Sequence, residues 1–81
     1  MLKRVDFDIG DITPEEARRI QYRLGKDISV YRVFIDPYRK NGFIIFDEEK
    51  NIDILREIDH GIQIKNEEKI TVEELINRSL W

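Results

Sequence analysis

The 81-residue chain has no cysteine and only one alanine, one methionine, one histidine and one tryptophan. Without cysteine there is neither a disulfide staple nor a thiolate metal site. A lone histidine, His60, leaves no His-based metal cluster. As a general base it would need a nucleophile, and no spacing brings Ser29 or Ser79 to it. At a helix end its cation suits the dipole, which makes capping its natural role. No apolar run approaches the ~18 residues of a membrane span. The opening MLKRVDFD lacks the apolar stretch of a secretory signal, so the expected location is cytoplasmic.

What is present points to one small, efficient core. The chain carries fourteen isoleucines, four phenylalanines and three tyrosines, and 38% of it is charged. Isoleucine, lysine, arginine and glutamate abound while methionine, asparagine and glutamine are scarce, the balance of a thermophile protein rich in surface ion pairs. Residues 1–81 form a single domain, close to the lower size at which one core suffices without staples. The net charge of −3 argues against a general nucleic-acid scavenger. Residues 1–40 hold nine basic and seven acidic side chains; residues 41–81 hold five and ten, which suggests a modest dipole.

Val5, Phe7 and Ile9 alternate with Arg4, Asp6 and Asp8, the signature of a half-buried strand ended by Gly10. Thr13-Pro14-Glu15-Glu16 is a helix start, with Thr13 as N-cap, Pro14 at the first helical position and Glu16 completing a capping box. Ala17, Ile20 and Leu24 follow at helical spacing, and Gly25 is the expected stop. A second strand runs from Val30 to Ile35, with Tyr31, Val33 and Ile35 on one face. After the turn-rich Asp36–Gly42 segment, Phe43–Phe46 is apolar on both faces, as a central strand should be. Asp47 caps a second expected helix with Ile54, Leu55 and Ile58 as its buried stripe. Ile62 and Ile64 make a fourth strand, and Asn66–Lys69 reads as a turn. A last helix begins at Thr71, with Glu74 in a capping box and an Ile70–Leu75 staple; the rival reading pairs Lys69–Val72 with the fourth strand as a hairpin.

This βαββαβ order predicts an α+β, ferredoxin-like fold: a four-stranded antiparallel sheet of order 4-1-3-2, both helices on one face, and an additional C-terminal helix. The helix-facing side takes Val5, Phe7, Ile9, Tyr31, Val33, Ile35, Ile44, Phe46, Ile62 and Ile64. The other face carries charge along strand one but clusters Phe34, Phe43 and Ile45 on strands two and three. An apolar patch of that kind needs a cover. Leu75, Ile76, Leu80 and Trp81 of the last helix are one candidate lid, and a partner or a ligand is the alternative.

Two resemblances accompany this pattern. Gly42-Phe43-Ile44-Ile45-Phe46-Asp47-Glu48-Glu49 and the element order resemble the third strand of an RNA recognition motif, whose exposed aromatics stack bases. Phe43 fits one stacking position, but Asn41 holds the other and Asp6 stands where the strand-one aromatic belongs. In length, composition and order the whole chain is similar to small archaeal proteins of unassigned role with a ferredoxin-like fold. That resemblance implies a fold and hardly any chemistry.

Among candidate sites, Asp6 and Asp8 share a strand face near Asp11 and could hold Mg²⁺; cross-strand pairing with Arg4, Arg32 or Lys65 is the plainer account. Arg19, Arg23 and Lys26 line one helix edge, either as a phosphate dock or as a solvated face. Trp81 inserts into its own domain or anchors a partner. The expected function is a non-enzymatic interaction module without cofactor, metal, membrane or small-molecule substrate, acting by protein contact or self-association. Its partner-binding candidates are Arg32, Phe34, Tyr38, Arg39, Lys40, Phe43, Ile45 and Trp81. The alternative is weak single-stranded RNA binding through Phe43, Phe34 and the Tyr38–Lys40 loop.

Overall fold

A computed structural model describes residues 2–49 and 61–79, with the side chains of residues 78 and 79 excepted. The expected helix after Asp47, His60, Leu80 and Trp81 therefore lie outside the described residues. The elements are β1 (Leu2–Ile9), α1 (Pro14–Gly25), β2 (Val30–Asp36), β3 (Asn41–Asp47), β4 (Ile62–Ile70) and α2 (Val72–Ser79). The four strands form one antiparallel sheet in the order β2-β3-β1-β4, as the element order predicts.

α1 starts where its capping box places it. Thr13 Oγ1 accepts from the Glu16 N–H at 3.1 Å and donates to Glu16 Oε1 at 3.0 Å. Ala17, Ile20 and Leu24 are buried against Val5, Phe7, Ile9, Ile35, Ile44 and Phe46 of the sheet. Each fully buried side chain of this kind contributes about 1.5–3 kcal/mol, and this layer is the main core. Gly25 is the last helical residue and Lys26 caps the helix in right-handed geometry, so no left-handed glycine ends it. Gly42 has a different task. A Cβ there would stand 2.5 Å from the Phe34 carbonyl and 3.0 Å from the Phe7 ring, so its bare backbone makes room for Phe7.

Three expectations need correction. Tyr31 does not face the core: a bulge between Val30 and Arg32 puts Val30 in register with Phe46 and leaves Tyr31 49% exposed. Asn66–Lys69 is not a turn, nor do Lys69–Val72 fold back as a hairpin. β4 continues to Ile70, pairing Glu68 with Arg4, Glu67 with Val5 and Lys69 with Lys3. Ladder pairing with β1 carries the strand through these residues, with cross-strand ion pairs such as Lys3–Glu67 at 3.1 Å beside it. A second bulge, at Lys65, shifts the register between Asp6 and Phe7, and Ile64, opposite Phe7 at the sheet edge, stays 46% exposed.

The opposite face of the sheet has its own smaller core. Leu2, Ile45 and Ile70 are buried together, with Phe43 and Leu75 packed against them. α2 is capped by Thr71, whose Oγ1 accepts from the Glu74 N–H at 3.1 Å, and the Ile70–Leu75 staple holds it there. The lid thus covers one end of the outer face through Leu75, while Ile76 points to solvent.

Candidate functional site

The uncovered end of the outer face is built on β1, β2 and β3. Phe34 and Phe43 sit directly opposite each other in the ladder, with ring centroids 6.3 Å apart and planes tilted by 34°. Phe34 is 48% exposed and Phe43 half-buried. The Arg4 guanidinium lies 4.3 Å from the Phe43 centroid, so a cation already occupies one side of that ring. Around the rings lies a depression of about 400 Å³, reached also by Asp6, Asp8, Asp36, Arg39 and Lys65.

Its charges come in pairs. Arg4 holds Asp6 with its Nη2 at 3.0 Å, Lys65 reaches Asp8 at 3.2 Å, and Arg39 stands 3.9 Å from Asp36. Asp36 also accepts from the N–H groups of Tyr38 and Arg39 at 2.9 and 3.1 Å, which shapes the β2–β3 turn. Lys40 closes that turn with φ of 56°, the left-handed region that costs a non-glycine residue about 1 kcal/mol. Its carbonyl accepts from the Ile9 N–H at 2.9 Å, and its ammonium meets Asp11 at 2.6 Å. That hydrogen bond, with the attraction of opposite charges, lowers the Asp11 carboxyl and raises the Lys40 ammonium from their ordinary pKa values.

The residues singled out by sequence are thus dispersed. Phe34, Phe43 and Arg39 come together at the depression. Ile45, only 2% exposed, is sealed beneath α2 and offers nothing to a partner. Lys40 is engaged by Asp11, and Tyr38 projects from the turn beside Pro14, Ala17 and Arg18. Arg32 borders a different groove, between α1 and β2. Asp8 takes a cross-strand cation, Lys65, as expected, whereas Asp6 is held by Arg4 of its own strand rather than across strands. Sequence reasoning did not single out Arg4 as a covering group for Phe43. The register Arg4↔Ile45 and Asp6↔Phe43, which only the structure shows, places both beside that ring.

Residues 5–81 match the family model described as "Protein of unknown function (DUF3213)". The chain belongs to that family. No curated protein matches it at a significant level. This DUF3213 member is similar in fold to oxidised MerP from Ralstonia metallidurans CH34 (12% identity, TM-score 0.67), over 82% of this chain and 100% of that one. A copper binding domain from HMA7, a P-type ATPase, aligns with TM-score 0.68 at 18% identity over 83% of this chain and 99% of its own. CsoZ metallochaperone aligns with TM-score 0.64 at 23% identity over 82% and 100%. At these identities the likeness is one of fold, the ferredoxin-like α+β sandwich. Among the described residues, no helix is long and apolar enough to cross a membrane, and no cluster of three or more His, Cys, Asp or Glu stands ready for a metal.

Proposed function

We propose that this DUF3213 chain is a small non-enzymatic interaction module that holds a protein surface against the uncovered end of its sheet. Phe34 and Phe43 are the anchor, and Arg4, Arg39 and Lys65 form the polar rim. The observation that supports this is the pairing of charge. Each of the three rim cations stands beside a carboxylate: Arg4 by Asp6, Lys65 by Asp8, Arg39 by Asp36. A surface with aromatics at its centre and balanced charge at its edge suits a protein partner. A polyanion gains affinity by neutralising its phosphates, and cations that already hold carboxylates give it little.

The same pairing weighs against single-stranded RNA on Phe43 and Phe34. The copper binding of the HMA7 domain has no counterpart in these side chains. Soft cations call for thiolate or thioether ligands, and this chain has no cysteine and a single methionine. Catalysis by Asp6 and Asp8 is opposed by their engagement with Arg4 and Lys65.

Sedimentation velocity across a concentration series, with parallel crosslinking, tests the reading. Association should be lost in both Phe34→Ala and Phe43→Ala and change little with salt. Association that survives both substitutions would remove the outer face from consideration. A concentration-dependent mass of the pure chain identifies the partner surface as a second copy.

A further inference from the structure

Across the edge strand lies a surface of opposite character. α1 and β2 flank a shallow groove of about 680 Å³, lined by Arg18, Tyr22, Lys26, Tyr31, Arg32 and Val33 among others. Its lining holds three cations and, among the described residues, no carboxylate. Two tyrosines present their rings there, Tyr22 at 68% and Tyr31 at 49% exposure, and the Lys26 ammonium sits 4.3 Å from the Tyr22 centroid.

The bulge in β2 is what turns Tyr31 outward. A bulge and flanking charges also blunt a sheet edge against an added strand. The Ile35 N–H is already taken by Gln21 Oε1 at 3.0 Å, which further blocks strand addition along this edge. A peptide strand is therefore a poor occupant. Exposed π-faces interleaved with unopposed cations suit a chain that alternates flat bases with phosphates.

We propose that this groove is a platform for single-stranded nucleic acid, with bases stacking on Tyr31 and Tyr22 and phosphates met by Arg18, Lys26 and Arg32. The site is separate from the outer face and independent of the reading given for it. Three phosphate contacts on a single strand give a logarithmic salt slope of about −2. Removal of one stacking ring weakens binding on the order of tenfold.

The test is fluorescence anisotropy of the full chain with a labelled mixed-sequence RNA oligonucleotide, titrated at several salt concentrations. Binding should follow that slope, fall about tenfold in Tyr31→Ala and in Tyr22→Ala, survive in Tyr31→Phe, and vanish in Lys26→Glu/Arg32→Glu. Phe43→Ala should bind as the parent does. Circular dichroism of each variant separates lost binding from lost fold. No binding at low salt, loss on Phe43→Ala with Tyr31→Ala unaffected, or equal competition by poly-glutamate would each overturn the proposal.

Discussion

On the outer end of the sheet each lining cation stands beside a carboxylate, whereas the groove on the far side of β2 lines up three cations with none among the described residues. Both regions present two aromatic rings. The difference lies in strand neighbours. The outer face draws side chains from all four strands, so Arg4, Asp6 and Asp8 on β1 meet partners on their own strand and on β4. Among the described residues, the groove draws on one helix flank and one edge strand, with no third element to supply acids. Local net charge, rather than the overall −3, then decides which kind of partner each surface favours.

The comparison can be broken hardest at Gly42. Its replacement by alanine drives a methyl group against the Phe34 carbonyl and the Phe7 ring, with an expected loss of about 1–3 kcal/mol in urea unfolding. The outer face should be distorted, while oligonucleotide binding per folded molecule stays intact. Leu75→Ala removes the α2 side chain that packs on Leu2, Ile45 and Ile70. Half-buried as it is, it should cost about 1–2 kcal/mol and widen the apolar face, read as increased binding of a hydrophobic dye.

A double substitution sharpens the contrast instead. Asp6→Asn with Asp8→Asn frees Arg4 and Lys65 and gives the outer face the groove's sign. RNA binding should then gain a steeper salt slope, by about 0.7 for each added phosphate contact. An unchanged slope would show that pairing is not what keeps polyanions off that face.

The smallest effect belongs to the Asp11–Lys40 pair, which is exposed and so screened by salt. The folded Asp11 pKa is depressed, so its contribution is present above the ordinary carboxylate value and lost as pH falls through the folded one. Lys40 is raised, so its contribution is present below the ordinary lysine value and lost as pH rises through the folded one. Melting temperature against pH should show slight falls at both ends, and Asp11→Asn should flatten both while leaving the two surfaces unaltered.

Much of the fold was legible because its signals are local. The period of two in Val5-Phe7-Ile9, the Thr13 and Thr71 N-caps, and the doubly apolar Phe43–Phe46 each need only neighbouring residues, and each appears as expected. The site was half legible. Alternation placed Phe34 and Phe43 on one face, but it could not tell that Ile45 beside them would be sealed by Leu75 while they stayed open. Tyr31 was misplaced because strict alternation assumes no bulge. The spacing of Val30, Val33 and Ile35, which breaks the period of two, was the available sign.

By itself the amino-acid sequence determined the order of the four strands and of the first and last helices, the sheet topology that short connections permit, and the absence of any thiolate for a soft metal. Only the tertiary structure decided where β2 and β4 would bulge, how far β4 would run, and which cations would meet carboxylates. A bulge changes few local energies, so neighbouring residues barely specify it. It is chosen by packing across the sheet, where Val30 fits against Phe46 and Glu67 reaches Lys3, and those partners are brought together by the fold alone.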